Sequence, residues 1–303
     1  MTYLALDVGG TKIAGARVSD AGDLIGGVHV RSTPAREGGA AVLGAMLDVL
    51  RECGLKGVDG VGVGTAGVID SSSGRVLSAT SHITGWAGTD VADAIEGATG
   101  LPTFVLNDGH AFALGELLYG AGRGVESLLL MVAGTGVGGA FVAGGVPLFG
   151  AHWTAGHFGH VAVPQAVGVD CYCGGSGHLE AVGGGAGMLA LYRRNGGEAA
   201  VASTKELFER LPHDVVARDS IALGAEAFGL ATGSLVNAFD PGVVVVAGGL
   251  AQAGPVWERP MREAYTGALM PGLTHTPLVL SAMTNWYSLR GAAAYTRSQR
   301  GHR

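Results

Sequence analysis

The sequence predicts an α/β protein of two domains, each laid out as strand hairpins followed by a helix. Three observations predict it. Apolar runs of strand length alternate along the chain with amphipathic stretches of helix length. Hairpins with glycine turns, each followed by a helix, occur in both halves, as expected of two copies of one core. The 303 residues exceed the usual size of one domain, and a 48 % hydrophobic content can fill two cores. Only 15 % of residues are charged, with a net charge of −6, which argues against a nucleic-acid surface, where a basic face is expected.

Strands are expected near 3–8, 13–18 and 25–32. A helix near 38–52 follows, with Leu43, Met46, Leu47 and Leu50 at i, i+3, i+4, i+7 spacing. Val58–Gly64 reads as a glycine-diluted strand that runs into Thr65–Asp70. The strand Thr103–Leu106 ends at Asn107-Asp108, and a helix from about Gly109 to Tyr119 comes next. The domain boundary is placed near 115–120. The second half repeats the theme with strand 127–132, a turn, strand 139–143, an irregular insertion over 156–180, helices through 180–194 and 219–238, and strand 243–247. A last helix runs from Trp286 to about Arg297. No apolar run is long enough to span a bilayer, Val243–Ala247 being a buried strand, and no basic and apolar leader precedes the first strand. A cytoplasmic chain with reduced cysteines is the expectation, and such cysteines favour metal over disulfide.

Two glycine turns point to phosphate. In Leu4–Lys12 an apolar strand delivers Asp7 to a tight turn, Gly9-Gly10, whose backbone N–H groups, with Thr11 and Lys12, can meet phosphate oxygens. A second turn, Gly134-Thr135-Gly136-Val137-Gly138-Gly139, follows the strand Leu128–Val132. Glycine accounts for 55 residues, more than twice its usual share of about 7 %, so either turn alone is weak evidence and the ordered pair is stronger. Lys12 as a solvated hairpin residue and Thr11 as a turn former are the plain alternatives. No Gly-x4-Gly-Lys-Ser/Thr occurs, and Ile13–Val18 continues as a strand where a dinucleotide fingerprint needs a helix. Asp108 ends a strand and opens a helix, where a carboxylate can be aimed into a cleft; its plain alternative is a helix cap.

Between 160 and 180 stand His160, Cys171, Cys173 and His178, four nitrogen and sulfur donors of the kind a closed tetrahedral zinc site requires. A glycine-rich surface loop with incidental cysteines is the alternative. Cys53 stands apart and reads as a small buried apolar residue. His82, His110 and His152 read as surface or pocket-edge residues.

The stretch Gly156-His157-Phe158-Gly159-His160, then Cys171-x-Cys173-Gly, then Gly177-His178-Leu179-Glu180, resembles the signature of the ROK family of sugar kinases and repressors. The two glycine turns resemble that superfamily's phosphate loops, and the likeness runs over essentially the whole chain. It implies a two-domain actin-like (ribonuclease H-like) ATPase fold with an interdomain cleft, domains at 1–117 and 118–285, and a C-terminal helix over 286–303 packing back on the first. It implies an ATP-dependent hexose 6-kinase using Mg²⁺, with structural Zn²⁺ on His160, Cys171, Cys173 and His178, and a homodimer. By the same resemblance Asp108 is the catalytic base, and Gly67, Asn107, His157, His160 and Glu180 bind sugar. ATP falls to the two turns, Asp7 included, and to Gly248-Gly249 after the late strand.

Three departures bear on the substrate. His157 stands where the family has a glutamate that accepts from hydroxyls around C1 and C2, and histidine is bulkier and can donate. His178 stands for the third cysteine, and Ser81–Trp86 differs from the family's usual stretch near the sugar. These point away from plain glucose, toward an N-acylmannosamine or 3-amino-3-deoxyglucose (kanosamine), with an atypical glucokinase as the alternative. A sugar-responsive repressor would need a helix-turn-helix domain before the core, where the first strand already starts at Tyr3. A non-catalytic sugar sensor is the remaining alternative. Asp7, Lys12, Asn107 and Asp108 standing together favour the enzyme.

Overall fold

The structure, a computed structural model, describes residues 1–80, 82–282 and 286–301. Ser81 of the Ser81–Trp86 stretch, 283–285 at the end of the expected second domain and 302–303 at the end of the last helix lie outside the described residues. Contacts divide the chain into two units, one built from residues 1–126, 141–155 and the C-terminal helix, the other from 127–140 and the residues from 156 up to that helix.

The first unit opens with β1 (Thr2–Val8), β2 (Lys12–Ser19) and β3 (Leu24–Ser32), then α1 (Gly39–Cys53), β4 (Val61–Thr65), β5 (Val68–Asp70), β6 (Arg75–Ser78), α2 (Val91–Thr99), β7 (Thr103–Asn107) and α3 (Asp108–Tyr119). Its sheet has the order β3-β2-β1-β4-β7, with β1–β2 and β2–β3 antiparallel and β1–β4 and β4–β7 parallel. Side chains alternate across a strand, so Leu4, Leu6 and Val8 meet α1 and α2 in one apolar layer with Met46, Leu50 and Ile95. The buried face of α1 is Val42, Met46, Val49, Leu50 and Cys53. Leu43 and Leu47, expected in the core, are only partly buried, because the stripe is turned toward Val42 and Val49. Cys53 is buried as expected, and burial pushes its thiol up to about 11.

The other face of this sheet is covered by α3 and by the last helix, Tyr287–Arg300. Glycines set that contact. A Cβ on Gly62 would fall 2.2 Å from the Ala292 carbonyl oxygen, one on Gly115 1.9 Å from that of Tyr287, and one on Gly291 1.8 Å from that of Ala111.

The chain continues through β8 (Ser127–Ala133), β9 (Val137–Ala143), β10 (Val146–Pro147), α4 (Glu180–Gly183), α5 (Gly185–Arg194), α6 (Thr204–Glu209), α7 (Val215–Phe239), β11 (Val243–Ala247), α8 (Pro255–Ala268), β12 (Leu278–Leu280) and α9 (Tyr287–Arg300). The second sheet has the order β10-β9-β8-β11-β12, with β11 parallel to β8 and to β12. All five residues of β11 are buried. The helix expected over 180–194 is two helices broken at Gly184, whose Cβ would meet the Thr135 carbonyl oxygen at 2.8 Å. The helices α2, α6 and α8 have no counterpart among the sequence expectations.

By length and composition α7 could cross a membrane, contrary to the sequence expectation that no run is long enough, but 61 % of its most apolar window is buried. It packs against α8, and a Cβ on Gly229 would lie 2.0 Å from the Met261 carbonyl oxygen.

Candidate active site and metal centre

In the first unit, β1 carries Asp7 to the tight β1–β2 turn, which the Gly9 N–H closes by donating to the Lys12 carbonyl at 3.0 Å. The Thr33 hydroxyl donates to the Gly9 carbonyl at 2.6 Å. Thr11 and Lys12 are exposed. Burial raises the Asp7 carboxyl above its ordinary range, against a hydrogen bond from Ser288 and the charge of Lys12. His82 lies with its Cβ 3.4 Å from where a Cβ on Gly10 would stand, so this residue borders the β1–β2 turn.

The β7–α3 junction resolves which of two adjacent polar residues caps the helix. Asn107 keeps an extended backbone (φ −63°, ψ 145°), and its side-chain oxygen accepts from the Gly109 N–H at 2.8 Å, so Asn107 is the N-cap. The Asn107 amide also donates to the Gly67 carbonyl at 2.9 Å. Gly67 sits at φ +111°, where a Cβ would meet the Ser78 carbonyl oxygen at 2.7 Å. Asp108 is therefore the first residue of α3 rather than its cap. Burial, and then the negative charge of Asp7, push its carboxyl up to about 6. His110, expected at the surface or at a pocket edge, is buried, with Nε2 3.2 Å from the Ala155 carbonyl oxygen and its ring edge-on to Phe149. Its place on the inner face of α3 explains this. His152 is exposed as expected.

In the second unit, the Gly134–Gly136 turn is held by the Gly134 N–H donating to the Gly136 carbonyl at 3.0 Å. It is braced by α5, whose Gly185 and Ala186 N–H groups donate to the carbonyls of Gly134 and Thr135, both at 2.9 Å. Val137, Gly138 and Gly139, expected in the turn, belong to β9. Gly139 has a packing reason to lack a Cβ, which would meet Phe158 at 2.5 Å.

A cavity of about 730 Å³ opens beside this turn, lined by Gly134, Thr135, Gly185, Gly249, Leu250 and Ala253 together with α6 residues Thr204, Lys205, Phe208 and Glu209. Gly248 is not among the lining residues; it follows β11 at φ +98°, where a Cβ would sit 2.3 Å from the Ala133 carbonyl oxygen. The contribution of α6 is absent from the sequence expectations, although Ser203-x-x-Glu206 is a capping-box pattern that marks a helix start. In the structure Ser203 Oγ accepts from the Glu206 N–H and donates to Glu206 Oε1.

The segment 156–180 folds back on itself: the Val163 N–H donates to the Gly177 carbonyl at 3.1 Å, and Leu179 to Val161 at 2.9 Å. Asp170 bridges Ser176 farther out. This pairing brings His160, Cys171, Cys173 and His178 together, with one ligand atom from each lying within 4.8 Å of the others. Cys171 Sγ is 3.8 Å from His160 Nδ1, and Cys173 Sγ is 3.3 Å from His178 Nδ1. A tetrahedral zinc with Zn–S near 2.3 Å and Zn–N near 2.0 Å separates its ligand atoms by about 3.3–3.8 Å, so the donor set fits in chemistry and spacing.

The exposed His157 ring stacks on His160, centroids 6.3 Å apart. Glu180, the first residue of α4, has its carboxylate set between two glycines: a Cβ on Gly136 would lie 2.1 Å from Oε1 and one on Gly159 2.9 Å from Oε2. Burial raises this carboxyl, against hydrogen bonds from the Tyr172 hydroxyl and the Val137 N–H. Tyr172, between the two cysteines, was not singled out in the sequence.

Two constellations thus emerge. Asp7, Gly9, Gly10, Thr11, Lys12, Gly67, Asn107 and Asp108 belong to the first unit, and the second turn, the cavity, the metal-ligand cluster, His157 and Glu180 to the second.

The profile described as "ROK family" matches residues 3–299. An N-acetylmannosamine kinase of Yersinia pseudotuberculosis is 32 % identical to the chain, the match covering 97 % of this chain and 98 % of that one. Among solved structures, a ROK hexokinase from Thermus thermophilus is 34 % identical with a TM-score of 0.86, covering 99 % of this chain and all of that one. A ROK family glucokinase from Streptomyces griseus, in complex with glucose and AMPPNP, is 27 % identical with a TM-score of 0.78, covering 98 % and 100 %. The fold is the actin-like ATPase fold of these neighbours, and the chain belongs to the ROK family.

Proposed function

We propose that the chain is an ATP-dependent sugar kinase that phosphorylates the 6-hydroxyl of a modified hexose, an N-acylmannosamine or 3-amino-3-deoxyglucose. The observation that carries this reading is the β7–α3 junction. Asn107 caps the helix and puts Asp108 on its first turn, where one carboxylate oxygen shares the Gly109 N–H at 2.9 Å, and burial with Asp7 nearby brings the carboxyl to about 6. A general base works best with a pKa near the working pH. Asp108 accepts the proton of the sugar hydroxyl as its oxygen bonds to the γ-phosphorus, and the bond from that phosphorus to the β-γ bridging oxygen breaks to release ADP.

Phosphoryl transfer otherwise rests on positioning and charge neutralisation. The two glycine turns present backbone N–H groups to phosphates, and the cavity beside α6 has room for a nucleoside. Mg²⁺ would travel with the triphosphate and neutralise its charge, and Asp7, a half-buried carboxylate on the first turn, suits such a hard cation. Glu180 and His157 hold the sugar. Zinc on His160, Cys171, Cys173 and His178 is structural, since four protein ligands leave no open position. It fixes the loop bearing Tyr172 and the start of α4, and so the Glu180 carboxylate.

The choice of sugar rests on His157. A polar site discriminates strongly when its hydrogen-bonding partner changes, and the kinship with an N-acetylmannosamine kinase accords with an acylated amino sugar. Plain glucose is the second reading, supported by the glucose held by the Streptomyces griseus relative.

The test is ADP release with Mg-ATP against glucose, mannose, N-acetylmannosamine, N-acetylglucosamine and 3-amino-3-deoxyglucose, with the phosphate located by NMR. One amino sugar turned over with kcat/KM at least tenfold above glucose, phosphorylated at C6, is the expected result. Glucose as the best substrate would establish the second reading, and no turnover with any sugar would remove the kinase.

A further inference from the structure

We infer that the first turn of the C-terminal helix is part of the phosphate-binding apparatus: Ser288 and Trp286 set the positions of Asp7 and Lys12, and through them the affinity for a Mg-nucleoside triphosphate. This rests on the reading of Asp7–Lys12 as a phosphate loop.

The first observation is a hydrogen bond across almost the whole sequence. The Ser288 hydroxyl donates to Asp7 Oδ2 at 2.7 Å, and Ser288 is buried. Strand alternation turns Asp7 toward this helix, because Leu4, Leu6 and Val8 face the opposite layer. Asp7 is therefore held by α9 as well as by its own strand.

The second observation is that α9 has little freedom to retreat. Gly291 on α9, and Gly115 and Gly62 on α3 and β4, permit backbone approaches in which an added Cβ would stand 1.8–2.2 Å from a carbonyl oxygen. Ser288 is one turn from Gly291, so the closeness of the helices fixes the reach of its short side chain.

The third observation concerns Lys12. Its ammonium nitrogen lies 5.3 Å from the centroid of the Trp286 ring, within the range of a cation–π contact. Trp286 precedes α9 in a left-handed backbone conformation (φ 52°, ψ 39°), uncommon for a bulky residue. That conformation aims the indole at the β1–β2 turn. Lys12, exposed and on a flexible stem, thus has a defined resting place from which a phosphate can draw it.

Ser288 is a positioning residue, since it acts through Asp7. Calorimetric titration with Mg-ATP, without sugar, reads its effect directly. Ser288→Ala is expected to weaken Mg-ATP binding by about tenfold, the loss of one hydrogen bond to a charged group. Ser288→Thr should restore most of that loss, and the KM for the sugar should stay within about twofold of wild type, the margin of a group that does not touch it. Mg-ATP should also change tryptophan emission in the wild type. Because the chain has four tryptophans, the signal is assigned by its loss in Trp286→Phe, and it should be lost in Lys12→Met too.

Unchanged Mg-ATP affinity in a Ser288→Ala protein of wild-type melting temperature would overturn the inference, as would an emission change that survives Trp286→Phe. Should Ser288→Ala melt early, the threonine variant and the emission signal decide. Turnover is scored separately: a wild type that phosphorylates no sugar counts against the kinase, while the binding contrast decides the role of α9.

Discussion

Asp108 and Asn107 show what a sequence reveals at the scale of one residue and what it withholds. An apolar strand ending in two polar residues before a helix is legible as a junction. Which residue caps is not, because both types cap well and the choice lies in one backbone torsion. Asn107 stays extended and Asp108 is already helical, so the amide caps the helix and the carboxylate, which shares the Gly109 N–H, stands on its first turn. The pH dependence follows. Only ionised Asp108 accepts a proton, and burial beside Asp7 puts its midpoint at about 6; Lys12 is the cation that acts on Asp7 from the β1–β2 turn. The kcat/KM for sugar should be level above pH 7 and fall about tenfold per unit well below pH 6, where the acid form dominates. Zinc content followed across the same range separates this titration from loss of metal. A level profile from pH 5 to 8 with metal retained would remove Asp108 as the base.

At the scale of elements, the long apolar strands were the most legible, while the short β6, β10 and β12 had no counterpart among the sequence expectations. β1, β2, β3 and β11 are apolar runs between turn signals, and the expected positions agree within a residue or two. α8 escaped because its exposed face is highly charged, although Trp257, Met261 and Tyr265 recur at helical spacing and are buried. α6 is only six residues long, too short for a periodic pattern, and its capping box was the one signal available.

The candidate metal cluster was legible in composition, since thiols and imidazoles so close together have few other uses where the cysteines are free. Its hairpin pairing, and the placement of Tyr172 against Glu180, depend on the fold of the loop. Cys171→Ser is expected to cut bound zinc from one equivalent to a small fraction and to raise the sugar KM about tenfold or more, as Glu180 loses its support. Full zinc retention would contradict the assigned ligands.

For the whole molecule, alternating strands and helices with paired glycine turns indicated an α/β protein of two related cores, and the structure has two five-stranded sheets of corresponding mixed pattern. The partners of the C-terminal helix are specified by contacts between residues more than a hundred positions apart, such as Gly291 against Ala111, which no local pattern encodes. On the proposed reading the choice of sugar lies with a few side chains around His157 rather than with the fold, which is similar to that of the ROK hexokinase of Thermus thermophilus at a TM-score of 0.86.

Asp108→Asn decides whether Asp108 is the base of a sugar kinase. Turnover and sugar binding would be measured on the same zinc-loaded protein with saturating Mg-ATP and the preferred sugar. We expect kcat to fall by about 10²- to 10⁴-fold while the sugar dissociation constant changes by less than about threefold, because the amide keeps the shape of the carboxylate and one acceptor oxygen but cannot take up the proton. A variant whose kcat stays within about tenfold of wild type, below the usual contribution of a general base, would contradict that role.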